Sequence, residues 1–148
     1  MDFISKYKNN PDLLIREKMK KLLYLESKML PDMDKIKTPS QFFKEVKRFD
    51  QRRDDLGISI FRDIISLDFA KIITQNTNLE LKDAFRMVKD CIDMPMARKL
   101  FDREAVKVKD AVLFQLNKET REEIADSFIK QIKSGKKKLK LPKRFYNE

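Results

Sequence analysis

Apolar residues recur at three- and four-residue spacing along most of this chain, and that period belongs to the α-helix. Only two glycines, Gly57 and Gly135, occur in 148 residues, and no Asn-Gly or Asp-Gly pair separates alternating runs. Hairpin signals are therefore missing where a β-rich chain would need them. The spacing predicts an all-α fold: a single compact bundle of five to six helices over residues 1–134, followed by a basic, extended C-terminal tail over 135–148. At 41% hydrophobic residues the chain has enough apolar content for one packed core.

The helices can be placed by their punctuation. Asn10 reads as an N-cap before Pro11 and Asp12, opening a helix that carries Leu14, Ile15, Met19, Leu22, Leu25 and Met29 and stops before Pro31. Thr38-Pro39-Ser40-Gln41 has the form of a capping box, with Phe42, Phe43, Val46 and Phe49 behind it. A charged run, Asp50 to Asp55, precedes Gly57, which is the natural break. The segment from Ser59 to Gln75 is the most apolar and belongs at the centre of a bundle. A second capping box, Thr77-Asn78-Leu79-Glu80, opens a helix to about Ile92. After the turn Asp93-Met94-Pro95, a helix is expected from Pro95 to Leu116, with Met96, Leu100, Val108, Val112 and Leu116 facing inward. A third capping box at Thr120 opens the last helix, which ends in Lys130 and Lys133, with Gly135 as its C′ residue.

Several classes of chemistry are excluded or disfavoured by inventory. The chain has no histidine, which removes histidine-based acid–base work, histidine-dependent nucleophilic triads and the commonest metal ligand. Two glycines cannot build a phosphate-cradling loop. The letters of a Pro-Asp…Glu-x-Lys nuclease pattern occur at Pro11-Asp12 with Glu26-Ser27-Lys28, and at Pro31-Asp32 with Glu45-Val46-Lys47. Both triplets fall in helical patterns, where glutamate and lysine point apart, so the metal-site context is absent. The sequence thus points to a non-enzymatic protein with no cofactor and no metal. Cys91 stands alone, so no intramolecular disulfide can form, and it reads as a small apolar residue beside Val88 and Ile92 rather than a nucleophile. A reducing, intracellular compartment is the expectation, the cytoplasm or a host's cytoplasm, with the nucleus left open. No apolar stretch is long enough to cross a bilayer and no leader pattern is visible, so no membrane role is expected. The richness in Lys, Ile, Phe and Asn suits an AT-rich coding sequence, as in a phage, a virus or a low-GC bacterium.

Charge carries the functional signal. The chain has 34 Lys and Arg against 24 Asp and Glu, a formal net charge of +10. Eight basic residues fall in the last nineteen positions, opposed by Glu148 alone. The residues expected to contact nucleic acid are Lys130, Lys133, Lys136, Lys137, Lys138, Lys140, Lys143 and Arg144 through phosphates, with Phe145 and Tyr146 stacking on unpaired bases. Lys18, Lys20 and Lys21 are candidate helpers. The expected partner is nucleic acid, DNA or RNA, or else an acidic protein surface; association with a second copy is left open. The rival reading is an adaptor or inhibitor that uses an apolar helix face and Leu139, Leu141, Phe145 and Tyr146 as a docking peptide. A mixed cluster, Lys44, Lys47, Arg48, Arg52 and Arg53 among Glu45, Asp50, Asp54 and Asp55, reads as self-paired charge on an exposed helix. The Asp93 turn reads as an ordinary helical hairpin rather than a DNA-reading one.

Overall fold

The segment richest in buried apolar residues forms the axis on which the other elements pack. In the computed structural model, which describes residues 11–27, 38–109 and 111–146, one helix runs unbroken from Pro39 to Asn76. The elements are α1 (Pro11–Ser27), α2 (Pro39–Asn76), α3 (Leu81–Cys91), α4 (Met94–Glu104), β1 (Ala105–Val108), β2 (Ala111–Leu116) and α5 (Lys118–Lys133), then a 3₁₀ turn at Lys143–Phe145. The chain is an all-α bundle carrying one small antiparallel hairpin. α2 packs against α1, α3, α4, β2 and α5. Phe61, Phe69, Ala70 and Ile73 along it are essentially inaccessible to solvent, as the apolar composition of this segment requires.

Expectations about helix limits are corrected first at Gly57 and beyond Glu104. Gly57 does not break α2. An interior glycine costs roughly 1 kcal/mol relative to alanine, and burial of the neighbouring Ile58, Ile60 and Phe61 outweighs that cost. The helix expected from Pro95 to Leu116 ends instead at Glu104, and the chain turns back as a hairpin. The apolar residues at 100, 108, 112 and 116 imitate helical spacing. Val106, Val108, Val112 and Phe114 are nevertheless β-branched or aromatic and suit a pleated surface. The reversal is made at Lys109, whose φ of 56° lies in the left-handed region, without the glycine that usually marks such a turn. Leu100 and Leu116 are buried as expected, but Val108 and Val112 face solvent.

The caps show which polar residues set the boundaries. Thr38 accepts from the Gln41 amide at 3.2 Å, and Asp93 accepts from Met96 at 2.9 Å. Thr77 closes α2 instead of opening α3: its hydroxyl donates to the Ile73 carbonyl, and Glu80 is the residue before α3. Asn117, three residues ahead of Thr120, caps α5 by accepting from the Thr120 amide. The N-cap expected at Asn10 and the stop expected at Pro31 lie outside the described residues. At the other end of α5, Gly135 adopts φ +89° and the Lys136 amide donates to Gln131, a Schellman turn at the glycine the sequence singles out.

Three charges on the apolar part of α2, Arg62, Asp63 and Asp68, tie it to neighbouring elements. Arg62 donates to the Ile92 carbonyl and, at 2.6 Å, to the Lys89 carbonyl, at the C-terminal end of α3 where a cation is favoured. Asp63, fully buried, meets Lys18 of α1 at 2.5 Å and Lys89 of α3 at 2.9 Å. Burial pushes the Lys18 ammonium below its ordinary value, against the pull of Asp63. Asp68 receives a two-pronged contact from Arg121 of α5 at 2.6 and 3.0 Å. Apolar packing between three T-shaped rings, Phe61, Phe101 and Phe114, joins α2, α4 and β2.

Candidate nucleic-acid interface

The basic segment beyond α5 is folded onto the protein. The Schellman turn at Gly135 reverses the chain, and residues 138–141 then read Lys-Leu-Lys-Leu in non-helical backbone. In such backbone successive side chains point to opposite faces. Leu139 and Leu141 are accordingly buried while Lys138 and Lys140 are exposed. Phe145, turned inward by the 3₁₀ turn, is 4% exposed and belongs to the same core cluster as Phe61 and Phe128. The basic, extended segment expected over 135–148 thus contributes Leu139, Leu141 and Phe145 to the core.

Polar contacts made by Gln131, Lys99, Tyr146 and Arg144 fix its position. The Gln131 amide reads the Lys140 backbone at both ends, accepting from its N–H at 2.9 Å and donating to its carbonyl at 2.8 Å. Lys99 of α4 donates to the Phe145 carbonyl at 2.6 Å. The Leu141 amide donates to the Tyr146 hydroxyl at 3.0 Å. Arg144 binds Glu123 of α5 through Nε at 2.9 Å and Nη2 at 2.6 Å, and reaches Glu104 of α4 at 3.3 Å. Burial raises the affinity of Glu104 for a proton, but hydrogen bonds from Thr120, Asn117 and Arg144 outweigh it and hold this carboxyl below the usual range.

The ten residues named from sequence therefore divide. Lys130, Lys133, Lys136, Lys137, Lys138, Lys140 and Lys143 are all exposed, and none has an acidic partner among the described residues. Arg144 is committed to Glu123 and Glu104. Phe145 is buried beneath the Arg144 guanidinium, 4.0 Å from its ring centroid, and offers no face to a base. Tyr146 is 51% exposed. Of the helpers, Lys18 is tied to Asp63 and Ser59, and Lys20 pairs with Glu17. In the mixed cluster, Arg53 pairs with Asp50, whereas Asp54 and Asp55 turn to Arg98 of α4.

Sequence reasoning missed the residues that present the lysines: Gln131, Lys99, Glu123 and the two leucines. The Lys-Leu-Lys-Leu alternation was the readable signal for the leucines. Beside this segment lies an open cavity of about 510 Å³, lined by Cys91, Met96, Lys99, Asp102, Arg103 and Tyr146 among others. Burial pushes the Cys91 thiol up to about 11, which suits a packed residue and not a nucleophile. No group of three potential metal ligands occurs among the described residues, and no helix there is long and apolar enough to cross a membrane. No protein-family model, curated protein or solved structure matches the chain.

Proposed function

We propose that this chain is a non-enzymatic nucleic-acid-associated protein that binds phosphate backbone through the lysines of the docked C-terminal segment. The observation that carries the proposal is the set of seven exposed lysines between Lys130 and Lys143 with no acidic partner among the described residues. Burial of Leu139, Leu141 and Phe145 orders the backbone beneath them, so less freedom is lost on binding than by a loose tail. Arg144 secures the segment, and the lysines meet the phosphates. Seven neutralised phosphates give a salt slope of about −6 on duplex DNA and about −5 on a single strand.

Removing the segment would open the core, so the test is charge neutralisation. Fluorescence polarisation with labelled single-stranded RNA, single-stranded DNA and duplex DNA compares the full chain with a Lys136→Gln/Lys137→Gln/Lys138→Gln/Lys140→Gln variant at two salt concentrations. Salt-steep binding, with a slope reduced by about 3 to 4 in the variant, is expected. Binding of equal slope in both proteins, or none, overturns the proposal.

A second reading, a protein-binding adaptor or inhibitor, has one observation in its favour. Met19, Leu23 and Tyr24 are exposed on α1. Of the docking peptide expected at Leu139, Leu141, Phe145 and Tyr146, the first three side chains are buried in the chain's own core and only Tyr146 is exposed. Binding by the α1 face would depend only weakly on salt.

A further inference from the structure

The cavity beside Tyr146 is not used by the phosphate contacts. We infer that it receives one unpaired base of a single-stranded nucleic acid, with the Tyr146 ring as the stacking surface. This rests on the phosphate-binding reading above and adds a choice of polymer to it. Tyr146 is fixed at its hydroxyl, which accepts from the Leu141 amide at 3.0 Å and lies against the Cys91 thiol. That end of the side chain is anchored while the residue stays 51% exposed. A ring held in place stacks on a base without a further loss of rotamer freedom.

The cavity has the size and chemistry for a base. Its volume of about 510 Å³ falls within the roughly 300–1,000 Å³ typical of clefts for small organic ligands. Met96 and Pro95 give it an apolar wall, and Arg103 adds a cation with no ion pair among the described residues. Two carboxylates also line it. Asp93 is occupied in capping Met96. Asp102 is exposed and carries no ion pair among the described residues; it would repel a phosphate but accept from a base N–H. The cavity thus suits a base better than backbone. Lys140 and Lys143 lie within six residues of Tyr146 in a folded-back segment, so a strand crossing these lysines has its bases at hand. A duplex keeps its bases stacked on one another and has no free π-face to offer.

The test uses the full chain with a fluorescein-labelled oligo(dT) strand and a labelled DNA duplex of the same length. Tyr146→Leu removes the ring, and Tyr146→Phe keeps it while losing the hydroxyl. The wild type is expected to prefer the single strand. Tyr146→Leu should weaken that strand by about 5- to 150-fold, the worth of one base stack, and leave the duplex within about twofold. Tyr146→Phe should retain most of the preference. Photo-crosslinking of a 5-iodouracil-substituted strand should map to Tyr146. Equal affinity of wild type for both polymers, with Tyr146→Leu changing neither, overturns the inference and leaves phosphate binding intact. A parallel loss of both polymers in Tyr146→Leu also overturns it, because the ring then only holds the segment in place. Absence of salt-steep binding to either polymer refutes phosphate binding itself, and the inference with it.

Discussion

Asp63 allows a sharp test of how the bundle is held together, because its two partners are not equivalent to it. The carboxylate is fully buried, whereas the Lys18 and Lys89 side chains keep 22% and 24% of their surface. Removing the acid leaves two ammoniums that can turn to water, and Lys18 also keeps Ser59 Oγ at 2.7 Å. Removing both lysines leaves a carboxylate with no route to solvent. A buried charge stripped of its partners costs about 3–5 kcal/mol, while replacing a buried pair by apolar groups is often close to neutral. The Lys18→Met/Lys89→Met variant is therefore expected to lose about 3–5 kcal/mol, although methionine retains most of each aliphatic stem. Asp63→Leu alone should lose no more than about 1–2 kcal/mol. Adding Asp63→Leu to the double variant should restore at least about 2 kcal/mol. Urea unfolding reads all three: with a slope near 2 kcal/mol/M, the double variant shifts its midpoint by about 1.5–2.5 M. If Asp63→Leu alone is as damaging as the loss of both lysines, the reasoning fails.

Three further outcomes can be checked on the same protein. Leu141→Ala and Phe145→Ala should cost about 2–5 and 3–5 kcal/mol in urea unfolding, and losses below about 0.5 kcal/mol would mean that the segment is not part of the core. Gly57→Ala should stabilise by about 0.5–1 kcal/mol in thermal melts, since a Cβ there meets nothing within 4 Å and the position is helical; destabilisation would contradict the unbroken helix. Iodoacetamide should label Cys91 with a half-maximal rate near pH 11 rather than the ordinary 9.0. The fold favours the protonated thiol, so this contribution to stability is complete below pH 9 and declines as pH rises through 11. A labelling midpoint at or below 9 would contradict the packed thiol.

What could be read from the sequence was mostly local. The Thr38 cap, the Gly135 turn and the central position of Ile60 to Ile73 each depend on a few consecutive residues, and each appears as expected. The hairpin was hidden because Leu100, Val108, Val112 and Leu116 sit at multiples of four, and because Lys109 makes the turn without glycine. Thr77 and Thr120 misled because a threonine followed by an acid three residues on has the form of a cap. In the fold, one hydroxyl back-bonds to Ile73 and the other donates to Glu104 at 2.7 Å. For the candidate site, composition found the lysines but not their setting. That setting depends on contacts such as Arg144 to Glu123 and Lys99 to Phe145, between residues far apart in the chain, which no periodicity records.

The central position of α2 also orders events in time. Its partner α3 follows after only four residues, so that pairing closes with little loss of chain entropy. The 139–145 segment instead joins a core assembled from residues as far back as Ile15. Substitutions along the α2–α3 contact, such as Val88→Ala, should slow refolding, whereas Leu141→Ala should leave the refolding rate nearly unchanged and accelerate unfolding. Stopped-flow chevrons separate the two limbs; a refolding limb slowed as much by Leu141→Ala as by Val88→Ala would place the basic segment in the folding nucleus. Otherwise the lysine surface is the last part to form and the first to open.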